Sequence, residues 1–189
     1  MLKVINGGFE PVRATKYSAY VDLFAREDVT IGAGETKMVK LGVKIDLSEI
    51  KDDFMIGRMD LNPYFIQYAL DEKKYEHFLK SHYLEIALRS SLGVKGLVIA
   101  NGIGIIDLDY PDEIGLIVHN PIMNSWNENF EDGTVDFITH LHKGVNGEDS
   151  FKISKGDKVA QCTLKEHKGY LMGYESDITR EGGFGSTGK

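Results

Sequence analysis

A single cysteine, Cys162, leaves no partner for an intrachain disulfide, and no apolar run approaches the ~20 residues needed to cross a bilayer. There is no N-terminal signal pattern either, so the expected setting is a reducing compartment, the cytoplasm, with no membrane partner. Cations are in deficit. Lys and Arg number 22 against 29 Asp and Glu, a net charge of −7, which argues against a general nucleic-acid binder and means that an anionic substrate must meet a local basic cluster or a metal ion. No internal repeat is visible. What the chain does have is 42% hydrophobic residues over 189 positions, enough for one sizeable core and best read as one globular domain per chain.

Short alternating or β-branched runs dominate: Tyr17–Phe24, Thr36–Ile45, Tyr83–Leu88, Leu97–Ile99, Ile114–His119, Thr134–Leu141 and Lys158–Lys165. Glycine-containing turns such as Gly32-Ala33-Gly34 and Lys155-Gly156-Asp157 separate them, which predicts a mainly β protein of the sandwich or barrel type. One segment differs. Asn62-Pro63 reads as a cap followed by a first-turn proline, and Tyr64, Phe65, Tyr68, Tyr75 and Phe78 recur with mostly helical spacing, so an amphipathic helix is expected over about 62–80 with its aromatic face against the body.

Five groupings carry chemistry. Ser18 to Leu23 puts Asp22 in an apolar strand, where it must pair with a buried arginine or lie near bound metal. Arg89-Ser90-Ser91 offers a guanidinium and two hydroxyls at a strand end, suited to phosphoryl oxygens. Asn101 to Tyr110 reads as a glycine-bent hairpin in which Asn101 and backbone amides near Gly104 could read the edge of a uracil-like ring. Its two carboxylates, Asp107 and Asp109, are expected to face opposite sides, so that only one points into the pocket. Lys155 to Cys162 is a turn leading into a strand that carries Gln161. Last comes Arg180 to Lys189, glycine-rich with one ring, Phe184, and with Arg180, Ser186 and Thr187 able to hold phosphate. Gly183 to Lys189 spells G-x-x-x-x-G-K, but with no Ser, Thr or helix following Lys189 a P-loop is not expected. The expected role is a lid over a nucleotide.

In this order and over nearly the whole chain, the five groupings resemble the five motifs of the homotrimeric dUTP diphosphatase (dUTPase) family. The resemblance implies an all-β, jelly-roll-like barrel with a short inserted helix, a homotrimer with shared sites, and Mg2+-assisted hydrolysis of dUTP to dUMP and pyrophosphate. It further implies Asp107 as general base and Asn101, Gly104 and Tyr110 around uracil and deoxyribose. Arg89, Ser90, Ser91 and Gln161 would lie along the phosphates. Asp22 would act on the metal only through water, with Mg2+ held mainly by the triphosphate. Phe184 and Gly185 from a neighbouring subunit would cover the base while Arg180, Ser186 and Thr187 clamp the terminal phosphates. The implied organisation is a β domain over 1–169 and an arm over 170–189, with insertions at about 51–82 and 124–149 similar to those of bacteriophage members; a phage-encoded chain would act in the host cytoplasm.

Two departures stand out. Tyr20 takes a place usually given to a small residue, and Pro111-Asp112-Glu113 replaces the usual Arg-Gly pair after the tyrosine. Two other functions share the fold or the ligand: a dCTP deaminase, distinguishable by ammonia release, and a dUTP-responsive protein signalling to a regulatory partner through the insertions. His140 and His142 could be mistaken for half a zinc site, but no Cys or carboxylate is spaced to complete one.

Overall fold

The computed structural model describes residues 1–48, 50–51, 72–122, 127–128, 135–136 and 150–174. Two four-stranded antiparallel sheets form the body. The first orders β1 (Leu2–Val4), β4 (Thr36–Ile45), β8 (Glu113–His119) and β6 (Val98–Ile99); the second orders β2 (Val21–Phe24), β12 (Lys158–Glu166), β5 (His82–Leu88) and β7 (Gly104–Asp107). Two small ribbons pair β11 (Phe151–Ile153) with β3 (Val29–Ile31) and β10 (Val135–Asp136) with β9 (Asn127–Glu128). Antiparallel sheets packed face to face match the all-β, jelly-roll-like expectation.

The alternation that predicts the strands also builds the core. On β4, Val39, Leu41 and Val43 are fully buried, and on β8 Ile114, Leu116 and Val118 are buried in the same rhythm. They meet Leu23, Leu84, Ile86, Ala160 and Cys162 from the second sheet in one cluster. Each large aliphatic side chain so buried contributes about 1.5–3 kcal/mol. Cys162 serves as a small core residue, and burial pushes its thiol up to about 12, which leaves it unreactive.

The long strand β4 breaks register between Lys40 and Lys44. Gly42 sits there with a φ of 65°, and a Cβ on it would lie 2.4 Å from the Gly8 Cα, so only glycine lets these two backbone segments touch. Glu113 closes the bulge: its Oε1 accepts from the Gly42 amide at 2.9 Å and its Oε2 pairs with Arg26 at 3.1 Å. The last residue of the departure Pro111-Asp112-Glu113 therefore fixes strand register.

Helix α1 (Glu72–Ser81) occupies the C-terminal part of the expected helix and runs directly into β5; the rest of that expectation, from Asn62, lies outside the described residues, as do Trp126 and most of the 124–149 insertion, His140 and His142 included. Phe78 is fully buried and stacks on His82 with ring centroids 4.6 Å apart. The His82 Nδ1 lies 2.9 Å from Ser81 Oγ and 3.2 Å from the Phe78 carbonyl. A second short helical segment, α2 (Ser90–Gly93), follows β5. No described helix is long and apolar enough to cross a membrane.

Burial holds the His82 imidazole below its ordinary pKa, more than the Phe78 carbonyl and Glu166 raise it, with His167 and His77 adding to the lowering. The unfolded chain then binds a proton that the folded chain does not. His82 should leave stability intact above about pH 6.5 and erode it progressively below. Urea midpoints between about pH 7.5 and 5.5 should fall for the parent and fall less for His82→Gln.

Candidate functional site

The second sheet has a core face and an outer face, and the polar candidates collect on the outer one. In the β12–β2 ladder Gln161 is directly opposite Asp22, and in the β12–β5 ladder it is opposite Ala87. Directly opposed residues share a face, so Asp22, Gln161 and, two residues beyond Ala87, Arg89 belong to one side.

Of the two expectations for Asp22, the pairing with an arginine is present. Asp22 is 3% exposed, its Oδ1 accepts from the Arg89 guanidinium, and Lys158 Nζ stands 3.1 Å from its Oδ2. The lysine contact is an ion pair without an aligned hydrogen bond, because Oδ2 has no hydrogen-bond partner among the described residues; the buried Nε of Arg89 likewise has none. One carboxylate thus sits between two cations, leaving a local excess of one positive charge and two buried polar atoms without a hydrogen-bond partner among the described residues. Ser90 and Ser91 open α2 immediately after Arg89, both exposed.

The hairpin lies at the other edge of this sheet. Residues 99–104 carry the chain from β6 in the first sheet to β7 in the second, and a cavity of about 200 Å³ opens where the sheets part. Asn101, Gly104 and Tyr110 line it together with Ile86, Ile99 and Leu116. Gly104 is required by contact: a Cβ there would lie 2.0 Å from Ile86 Cγ2, a core side chain that is 1% exposed. Tyr110 is buried, its amide donating to the Asp107 carbonyl at 3.0 Å and its hydroxyl to the Glu113 carbonyl at 3.3 Å. The mixture of apolar wall and few polar groups suits a single-ring base.

Asp107 ends β7 opposite Tyr83 and is exposed. The expectation for Asp107 and Asp109 needs correction. Two residues apart in one strand would share a face, and here β7 stops at Asp107 while Asp109 belongs to the following turn, so strand alternation does not set their relation. Both are exposed.

One separation is decisive. Asp107 pairs with Tyr83 at the start of β5, whereas Arg89 follows its end, six positions on. At about 3.3 Å per residue this places them roughly 20 Å apart within a chain. Two side chains so far apart on one strand do not act on the same bond within a single chain.

Sequence reasoning missed two neighbours. Lys158 stands inside the fourth grouping, but its pairing with Asp22 depends on strands far apart in the chain. The departure Tyr20 has a partner that no local pattern signals: its hydroxyl donates to Glu85 Oε1, Tyr83 donates to Oε2 at 3.1 Å, and Lys165 Nζ lies 3.8 Å away. The hydrogen bond to Glu85, with burial second, pushes the Tyr20 phenol up to about 12. Arg180, Phe184, Gly185, Ser186 and Thr187 lie outside the described residues. Among the described residues, no three His, Cys, Asp or Glu side chains are grouped to hold a metal ion.

Asp22→Asn would leave two cations facing each other. Because Arg89 and Lys158 keep some solvent contact, the expected loss is about 2 kcal/mol, below that of a fully buried pair, and chemical denaturation measures it.

No protein-family model matches the chain. A deoxyuridine 5'-triphosphate nucleotidohydrolase of Rickettsia akari is 30% identical over 188 residues, spanning 96% of this chain and 89% of that protein. The variola virus protein of the same name is 27% identical over 195 residues, spanning 99% and 90%. Among solved structures, the dUTPase of Streptococcus mutans superposes with a TM-score of 0.52 at 20% identity, covering 88% of this chain and 95% of that one. A point variant of the dUTPase from Staphylococcus aureus phage phi11 superposes at 0.55 and 18% identity over 98% of each chain. The structural likeness carries the fold, and the sequence identity, sustained over almost the full length of both chains, carries the family: the chain belongs to the dUTPases, the deoxyuridine 5'-triphosphate nucleotidohydrolases.

Proposed function

We propose that this chain hydrolyses dUTP to dUMP and pyrophosphate, with uracil in the hairpin cavity and Asp107 as the general base. The observation that carries this reading is the cavity itself, where Asn101, Gly104 and Tyr110 converge beside the strand that ends in the exposed Asp107, in a chain of this family. Such a reaction keeps uracil out of DNA and supplies dUMP for dTMP synthesis.

The chemistry follows from the residues. Asn101 and the backbone beside Gly104 offer donors and acceptors to the edge of uracil, and the apolar wall of Ile86, Ile99 and Leu116 would crowd a larger substituent. Tyr110, held by its hydrogen bond to the Glu113 carbonyl, presents its ring to the deoxyribose where a 2′-hydroxyl would collide. Asp107 takes a proton from water as the water oxygen bonds to the α-phosphorus. The bond from that phosphorus to the α–β bridging oxygen breaks, and pyrophosphate leaves with the electron pair. Arg89, Ser90, Ser91 and Gln161 hold phosphate oxygens, Arg89 through guanidinium donors beyond the one that it gives to Asp22.

Magnesium would accompany the triphosphate and neutralise charge on its oxygens. The described residues suit a metal carried in this way: Asp22 already faces two cations and does not suit direct coordination, so any contact with the metal would pass through water. A structural Mg(II) ion is described for the phage phi11 dUTPase variant.

The roughly 20 Å between Asp107 and Arg89 supports a site completed by a second copy, in a homotrimer with three such junctions. Phe184 and Gly185 of the neighbouring arm would then cover uracil while Arg180, Ser186 and Thr187 hold the terminal phosphates. The rickettsial and variola relatives are named as hydrolases, and the deaminase alternative is set aside. A regulatory role through the insertions has a precedent: the Staphylococcus phage 80alpha dUTPase is described as controlling transfer of virulence genes, and the phi11 enzyme as having a species-specific insert. Here α1 anchors the C-terminal end of the 51–82 insertion to β5 through Phe78, a firm base for a protein partner.

Purified protein incubated with Mg2+ and dUTP, dCTP, dTTP or UTP should yield monophosphate and pyrophosphate from dUTP alone, without ammonia. Asp107→Asn should keep its affinity for dUTP while kcat falls by about 10²–10⁴-fold. Turnover at the parent rate would remove Asp107 from the role of base.

A further inference from the structure

Lys158 is a phosphate-handling residue, we propose, acting beside Arg89 on the polyphosphate of the substrate. The inference rests on the reading of the chain as a dUTP hydrolase and adds a cation to the phosphate-holding set of Arg89, Ser90, Ser91 and Gln161.

Neutralising Asp22 takes one cation, and the Arg89 guanidinium on Oδ1 already supplies it. Lys158 is the second. Its Nζ is 3.1 Å from Oδ2, yet no aligned hydrogen bond forms there, and its side chain keeps 44% of its exposure while the carboxylate it touches keeps 4%. A lysine serving only to satisfy a buried carboxylate would direct a proton at it. This one is held near the carboxylate without an aligned hydrogen bond to it, and is solvent-exposed.

The backbone explains why the ammonium stays in place. Lys158 follows a tight turn in which the Gly156 amide donates to the Ala25 carbonyl at 2.8 Å and Asp157 Oδ2 accepts from the Ser154 amide at 2.8 Å. Lys158 then pairs with Phe24 just before the β12 register break, and its Nζ stands 5.9 Å above the Phe24 ring centroid. Carboxylate below and aromatic face alongside fix a flexible side chain without consuming its hydrogen-bonding capacity. With the partly exposed Arg89, Lys158 leaves two cations around one carboxylate at this part of the sheet. A multiply charged phosphate chain is the ligand that such an excess fits, and its proximity to Gln161 extends the same line of donors.

The test compares K158M, K158R and the parent as full-length proteins, reading dUTP turnover and the binding of dUDP and of deoxyuridine, which has no phosphate. K158M should weaken dUDP binding and raise KM for dUTP by about 10–100-fold, as expected for loss of a charge-assisted hydrogen bond, leave deoxyuridine binding within about twofold, and be largely rescued in K158R. Unchanged dUDP affinity, or equal losses for dUDP and deoxyuridine, would overturn the proposal, the second outcome marking a structural role. If K158M does not fold, K158Q, which keeps a polar side chain beside Asp22 without the charge, gives the same comparison. Failure of the parent to hydrolyse dUTP would sink the functional reading itself; parent turnover with an unaffected K158M would sink only the role of Lys158.

Discussion

The rigidity of β5 is the constraint on which the rest of the site depends. It is hydrogen-bonded on both sides, to β12 and to β7, so nothing along it can fold back on itself. Its beginning faces Asp107 and its end delivers Arg89, and the backbone between them is as extended as a strand allows. Chemistry that needs both ends must be assembled from two surfaces. The same rigidity is what makes each half precise: Asp22, Gln161 and Arg89 hold fixed relations because three paired strands set them, and the cavity walls are set by where two sheets part.

Much of this was legible in the sequence, for identifiable reasons. Strands such as β4 and β8 were readable because one face is buried and the other is not, so Val39, Leu41, Val43 and Ile114, Leu116, Val118 write their period of two directly. The very short β1, β3 and β11 were not among the expected runs: three residues carry too little periodicity, and what stabilises them is pairing with strands distant in the chain. Of the expected helix the described part begins at Glu72; there Tyr75 and Phe78 keep helical spacing, and Phe78 does bury against the body.

Site residues divided along the same line. Asn101, Gly104 and Tyr110 sit within ten residues of each other and could be grouped by a hairpin pattern, and the structure brings them to one cavity. Asp22 was legible as a problem, a carboxylate in an apolar strand, but its solution in Arg89 and Lys158 required the β2–β12–β5 order. Tyr20 was legible only as an oddity; its partner Glu85 lies 65 positions on, and together they replace a small residue with a polar tether between adjoining parts of the sheet. Glu113 is similar, an apparent loss of a cation that serves as the clasp of a bulge 71 positions earlier.

The bare α-carbon of Gly104 has a further consequence. Because Ile86 fills the place where a side chain would stand, a residue of the hydrophobic core is also a wall of the hairpin cavity. Folding and selectivity then share one surface, and a lineage of such proteins cannot drift in one without being tested in the other. Substitutions that elsewhere would only adjust packing would here reshape the cavity as well, so the pocket is a region of low evolvability: its form is protected by the cost of misfolding.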